Sequence, residues 1–84
     1  MKLLDKRLGV IGIIVEDIRN AQEVNQILHN FSDIIVGRMG IPHKERQVSV
    51  ISLIVDGPMD SISAMTGKLG NIKSVSVKSA ISKK

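Results

Sequence analysis

Residues Val48–Val55 read VSVISLIV. The stretch is rich in β-branched residues and too short for a helix that must bury itself, so it reads as a strand. Side chains alternate across a strand, which puts Ile51, Leu53 and Val55 on one face. Val48, Val50 and Ile54 share the other face with Ser52. Both faces are therefore apolar. Leu8–Val15, LGVIGIIV, repeats the pattern, with Gly9 and Gly12 allowing close backbone approach.

Helices flank these two runs. Glu16, Asp17 and Asn20 end the first run and offer helix N-caps. Ala21, Val24, Ile27, Leu28 and Phe31 then recur at helical spacing, with Glu23, Gln26 and Asn30 on the other side, which predicts an amphipathic helix from about Asn20 to Asn30. Ser32 and Asp33 stop it, and Ile34–Met39 reads as a second strand. The polar, proline-containing segment Gly40–Arg46 reads as a connecting loop. After Val55, Asp56, Gly57 and Pro58 predict a turn into a helix capped by Asp60 or Ser61. That helix carries the stripe Ile62, Met65, Leu69 and ends at Gly70 as its left-handed residue. Ile72–Ser79 alternates as a last strand with one wet face.

The order β-α-β-β-α-β defines the expected class: α+β, a ferredoxin-like plait formed from two strand–helix–strand halves. Right-handed crossovers place both helices on one face of an antiparallel sheet of strand order 4-1-3-2. The 84 residues form one domain over 1–84, with frayed tails over about 1–6 and 80–84.

In this topology the doubly apolar runs are the two central strands, and two helices cover only one side. Whichever parity faces out, an apolar patch of several hundred Å² is left uncovered. At about 25 cal/mol per Å² its burial is worth several kcal/mol, comparable with the whole stability of so small a domain. The chain is therefore expected to bury it against itself, as a homo-dimer or a dimer of dimers through sheet face or edge.

Composition excludes several functions. With no cysteine there is no disulfide, thiolate metal site or cysteine nucleophile. Phe31 is the one aromatic residue, which removes a base-stacking platform. The net charge of +4 is dispersed, with Lys2, Lys6 and Arg7 at the start and Lys78, Lys83 and Lys84 at the end, so direct nucleic-acid binding is not expected. No apolar run reaches the ~18 residues that span a bilayer, and MKLLDKR lacks the features of a secretory signal. No membrane association and a cytoplasmic location are expected.

Chemistry-bearing residues are sparse. The serines fall outside any nucleophile elbow, and the glycines form neither GxGxxG nor a P-loop. His29 and His43 lie apart in sequence, and Glu16 and Asp17 sit side by side at a strand end. Those four residues define the alternative reading, a metal-binding or minor enzymatic domain. The main reading is that the chain is not an enzyme, with no catalytic residue, metal or cofactor. Arg38 and Gly40, near Pro42, are the sharper candidates: glycine lets backbone amides approach an anion that arginine binds. The first strand-to-helix connection, Glu16–Asn20, is the second candidate edge. The ligand-binding candidates are thus Asp17, Asn20, Arg38 and Gly40.

The runs VGRMGIP (36–42) and VSVISLIVDGPMDSISAMTGKLGNIKSVSVKSAI (48–81) resemble the small ACT-like proteins described as iron-only hydrogenase system regulators. The shared pattern is R-x-G-x-P, strand, D-G, helix, then K-L-G-x-I-x-x-V-x-V-K. The layout is also similar to the regulatory domain of nickel-responsive repressors. The resemblance implies a ferredoxin-like fold, oligomerisation, and a role in transcriptional or metabolic regulation through a small-molecule effector or protein partner. Nickel binding does not carry over, because Val36, Arg38 and the run 48–55 hold neither the histidines nor the cysteine of that family. Its DNA-binding ribbon-helix-helix module has no counterpart here. DIRNAQ (17–22) replaces the glycine-leucine pair of amino-acid-binding ACT domains.

Overall fold

Alternation along the two central strands sorts their side chains between the two sides of one sheet. In the computed structural model, which describes residues 6–84, β1 (Lys6–Val15) pairs antiparallel with β3 (Val48–Pro58). Ile11 lies opposite Leu53 and Ile13 opposite Ile51, and together with Val15 and Val55 all are buried. Against this side pack α1 (Ala21–Asn30), through Val24 and Leu28, and α2 (Met59–Gly70), through Ile62, Met65 and Leu69. β2 (Ile35–His43) borders β3, and β4 (Val75–Ile81) borders β1. The sheet order β2-β3-β1-β4 is 4-1-3-2 read from the opposite edge. The chain is an α+β ferredoxin-like plait.

Several boundaries differ from the sequence expectation. The Gly40–Arg46 loop is mostly strand: β2 runs through Gly40, Ile41 and Pro42 to His43, which pair with Ile51, Val50, Ser49 and Val48. Pro42 is tolerated because β2 is an edge strand, where an absent N–H need not break the ladder. The connection shrinks to residues 44–47 and closes with Gln47 at φ 55.

The expected Asp56–Gly57–Pro58 turn is also strand, paired with Leu8, Arg7 and Lys6. Gly57 is needed there because Ile34 packs onto it: a Cβ would lie 2.6 Å from Ile34 Cγ2. Pro58, extended at φ −62 and ψ 143, takes the N-cap position, so neither Asp60 nor Ser61 caps α2. Gly70 stays inside the helix. The left-handed residue is Ser74, at φ 73, which turns the chain into β4. That strand begins at Val75 rather than Ile72, and Ile72 instead joins the core. It continues to Ile81, and the Ser82 amide donates to the Leu8 carbonyl at 2.8 Å. The tail expected at the start of the chain lies, apart from Lys6, outside the described residues.

Candidate functional site

Even-numbered positions of the central strands all project to the side that carries no helix. Val10, Ile14, Val50 and Ile54 are there, 40–47% exposed. Leu8 continues the row along β1, while Met39 and Ile41 extend it onto β2 beside Ser52 and Val50, and Val36 stands exposed at the β2 bulge. The open face is thus apolar across three strands. Its centre is shallow, because Gly12 lies opposite Ser52 and a Cβ on Gly12 would meet nothing closer than Lys78 O at 3.9 Å. β4 adds the polar margin Ser76 and Lys78.

On the opposite side, a cleft of about 180 Å³ opens between α1 and the β2–β3 edge. Its base is the buried trio Val15, Val24 and Ile51. Ala21 and Pro42 narrow it. Arg38, Asn25 and Ser49 supply its polar groups, and Arg38 Nη2 donates to Asn25 Oδ1 at 3.0 Å. Arg38 and Gly40 reach this side because they pair with Leu53 and Ile51, the inward residues of β3. Gly40 leaves space over Ile51, whose Cγ1 would be 3.6 Å from an added Cβ. Among the described residues the one ion pair joins Arg19 to Asp17, and no carboxylate lines the cleft.

The other two candidates sit elsewhere. Asp17 caps the short 3₁₀ turn Ile18–Asn20, accepting from the Arg19 amide at 3.0 Å and from its guanidinium at 2.7 Å. The Arg19 side-chain hydrogen bonds, helped by that amide, lower the Asp17 carboxyl to a pKa of about 2. Asn20 does not cap α1. Its Nδ2 donates to Lys73 O at 2.7 Å and Ser74 Oγ at 2.9 Å, tying the start of α1 to the turn before β4. Asp17 and Asn20 share a shallow depression with Lys73, separate from the Arg38 cleft. Asn25 and Ser49 were not among the sequence candidates. Asn25 lies four residues after Ala21, which places it on the same flank of α1, but Ser49 enters only once the β2–β3 register is known.

The four residues of the alternative reading do not converge. Glu16 and His43 line one depression at the end of the open face, beside Arg46, and Glu16 and Asp17 line another. His29, on α1, borders neither. Among the described residues no three His, Cys, Asp or Glu side chains are grouped to hold a metal ion, and no helix is long and apolar enough to cross a membrane.

A protein-family profile described as "TM1266-like: Iron-only hydrogenase system regulator, putative" matches residues 7–79. Among solved structures, the chain is similar to the uncharacterized protein TM1266 from Thermotoga maritima, with 40% identity, a TM-score of 0.88, and coverage of 93% of this chain and 99% of that one. A formyltetrahydrofolate deformylase from Pseudomonas putida KT2440 shares the fold over 87% of this chain and 28% of its own, at 5% identity and TM-score 0.63. The apo form of CPII from Thiomonas intermedia K12, a nitrogen regulatory PII-like protein, shares it over 90% and 91%, at 13% identity and TM-score 0.55. No curated protein matches the sequence.

Proposed function

The chain belongs to the TM1266-like family of iron-only hydrogenase system regulators, and on that premise we propose that it is a small non-catalytic regulatory protein of the cytoplasm that pairs with a second copy through the open face of its sheet. The observation that carries this reading is the uncovered face. Leu8, Val10, Ile14, Met39, Ile41, Val50 and Ile54 expose several hundred Å² of apolar surface, a large fraction of the roughly 800 Å² per partner of a standard interface. At about 25 cal/mol per Å² its burial is worth on the order of 10 kcal/mol before association costs. Face pairing makes a dimer, and the free edges of β2 and β4 offer a route to a dimer of dimers.

Regulation requires that an effector or partner bind one arrangement better than another. β2 is the element suited to couple the two. Its Arg38 and Gly40 border the cleft, while the alternating Met39 belongs to the open face. A shift of β2 on binding would move both surfaces together. CPII, which has this fold, has been solved bound to ADP, AMP and bicarbonate, which supports effector binding as a use of the architecture.

The chain has no cysteine, so single thiols can be placed at will. Ser52→Cys puts one at the centre of the open face, and Ser63→Cys puts one on the exposed flank of α2. With a short bis-maleimide at micromolar protein, the first variant is expected to cross-link into dimers and the second to remain monomeric. Equal cross-linking of both, or none at position 52, would overturn the reading.

A further inference from the structure

We propose that the cleft between α1 and the β2–β3 edge binds a small organic carboxylate, with the carboxylate on Arg38 and a short apolar tail on the base of the cleft. This deepens the effector part of the function above, although binding itself does not depend on pairing. Three features select this ligand class. First, the available polar groups are donor-rich. Asn25 Oδ1 already accepts from Arg38 Nη2, so its Nδ2 hydrogens are turned to other acceptors, and Arg38 keeps further N–H groups in a planar fork that matches a carboxylate. The Ser49 hydroxyl adds a donor on the facing strand. Second, no acid lines the cleft, so neither a metal ion nor an ammonium group finds a counter-charge.

Third, the rest of the lining is apolar. Val15, Val24 and Ile51 belong to the buried core, and Gly40 keeps the space above Ile51 open. Inorganic phosphate would satisfy Arg38 but leave this surface unused. The volume, about 180 Å³, is below the roughly 300 Å³ at which sites for drug-sized ligands begin, so the cleft matches a small ligand better than a whole nucleotide. A branched or straight chain of a few carbons fits both the volume and the chemistry.

The test is an NMR titration of the ¹⁵N-labelled full chain with isovalerate, its uncharged analogue isovaleramide, and inorganic phosphate. Isovalerate is expected to produce saturable shifts at the Asn25 side-chain amide, Arg38 Nε–H and the Ser49 amide, with both controls at least about tenfold weaker. Arg38→Gln should weaken isovalerate by about tenfold or more. Gly40→Val should abolish isovalerate binding by filling the tail space while keeping the guanidinium. A Cβ at this position makes only an ordinary contact with Ile51, and thermal unfolding checks that the valine variant folds. The proposal is overturned if straight and branched carboxylates of two to six carbons give no saturable shift up to tens of millimolar, if isovaleramide or phosphate binds as tightly as isovalerate, or if Arg38→Gln or Gly40→Val leaves binding intact. Cross-linking at position 52 reads pairing separately, so the two ideas can fail independently.

Discussion

Val10 and Ile54 stand directly opposite each other on β1 and β3, on the side of the sheet that no helix covers. Cross-strand apolar pairs of this kind usually lie in a core. Here the pair is 43% and 40% exposed, so replacing either residue by a polar one should cost the monomer little. Val10→Thr is expected to change the unfolding midpoint by no more than a degree or two at low protein concentration. At high concentration it should lower it, because the association that adds apparent stability is weakened. Thermal unfolding at two concentrations a hundredfold apart reads both effects.

Two glycines of the central strands predict opposite outcomes. Gly57→Ala would bring a Cβ within 2.6 Å of Ile34 Cγ2 and 2.9 Å of Ile34 Cβ, and should destabilise by about 1–3 kcal/mol. Gly12→Ala meets only Lys78 O, at an ordinary 3.9 Å contact, and should be neutral or stabilising by about 0.5–1 kcal/mol, since alanine loses less backbone entropy in a strand. Urea denaturation of both variants, at a concentration where the protein is monomeric, makes the comparison.

The Asp17–Arg19 pair should leave a signature at low pH. The folded-state pKa lies below the ordinary value of 3.8, at about 2, so the pair's contribution is present above pH 3.8 and is lost as pH falls through 2. NMR titration of the Asp17 carboxyl is expected to give a midpoint near 2, and Arg19→Gln should move it back toward 3.8. A midpoint near 3.8 in the unaltered protein would show that the pair does not persist in solution.

Gln47 holds a left-handed backbone, φ 55, in the tight 44–47 connection and makes no side-chain hydrogen bond within the described structure. Gln47→Gly removes the steric cost of that conformation, about 1 kcal/mol, and should raise stability by somewhat less because glycine loses more entropy on folding. Ser74→Gly relieves the same kind of strain at φ 73 but deletes the hydroxyl that Asn20 donates to, so its net gain should be smaller. Chemical denaturation of the two variants ranks them.

Element order and class are legible in the sequence because Leu8–Val15 and Val48–Val55 are unambiguous strands and the two helices have clean stripes. The choice of buried face is not legible. Ile51, Leu53 and Val55 are no more apolar as a set than Val48, Val50 and Ile54, and only assembly with Ile11, Ile13 and Val15 under the helices separates them. Two of the misplaced boundaries, in β2 and at the end of β3, share one cause. Gly40, Pro42, Gly57 and Pro58 carry local turn propensity, but ladder pairing on β3 and β1 overrides it. Arg38 and Gly40 fall together in the cleft because they share strand parity, a relation visible in the sequence. Asp17 pairs locally with Arg19 and Asn20 reaches across the fold to Lys73, both away from that cleft, which no spacing rule foretells.

The most direct test of the central claim is light scattering across a hundredfold dilution of the unaltered chain, Ile54→Lys and Ile18→Lys. Ile54 lies on the open face, whereas Ile18 is more exposed than Ile54 (57% against 40%) but sits on the 3₁₀ turn before α1. The account predicts a dimer or larger assembly at micromolar concentration for the unaltered chain and Ile18→Lys, and a folded monomer for Ile54→Lys. A folded monomer of 9.2 kDa for the unaltered chain, or an assembly that Ile54→Lys leaves intact, would contradict it.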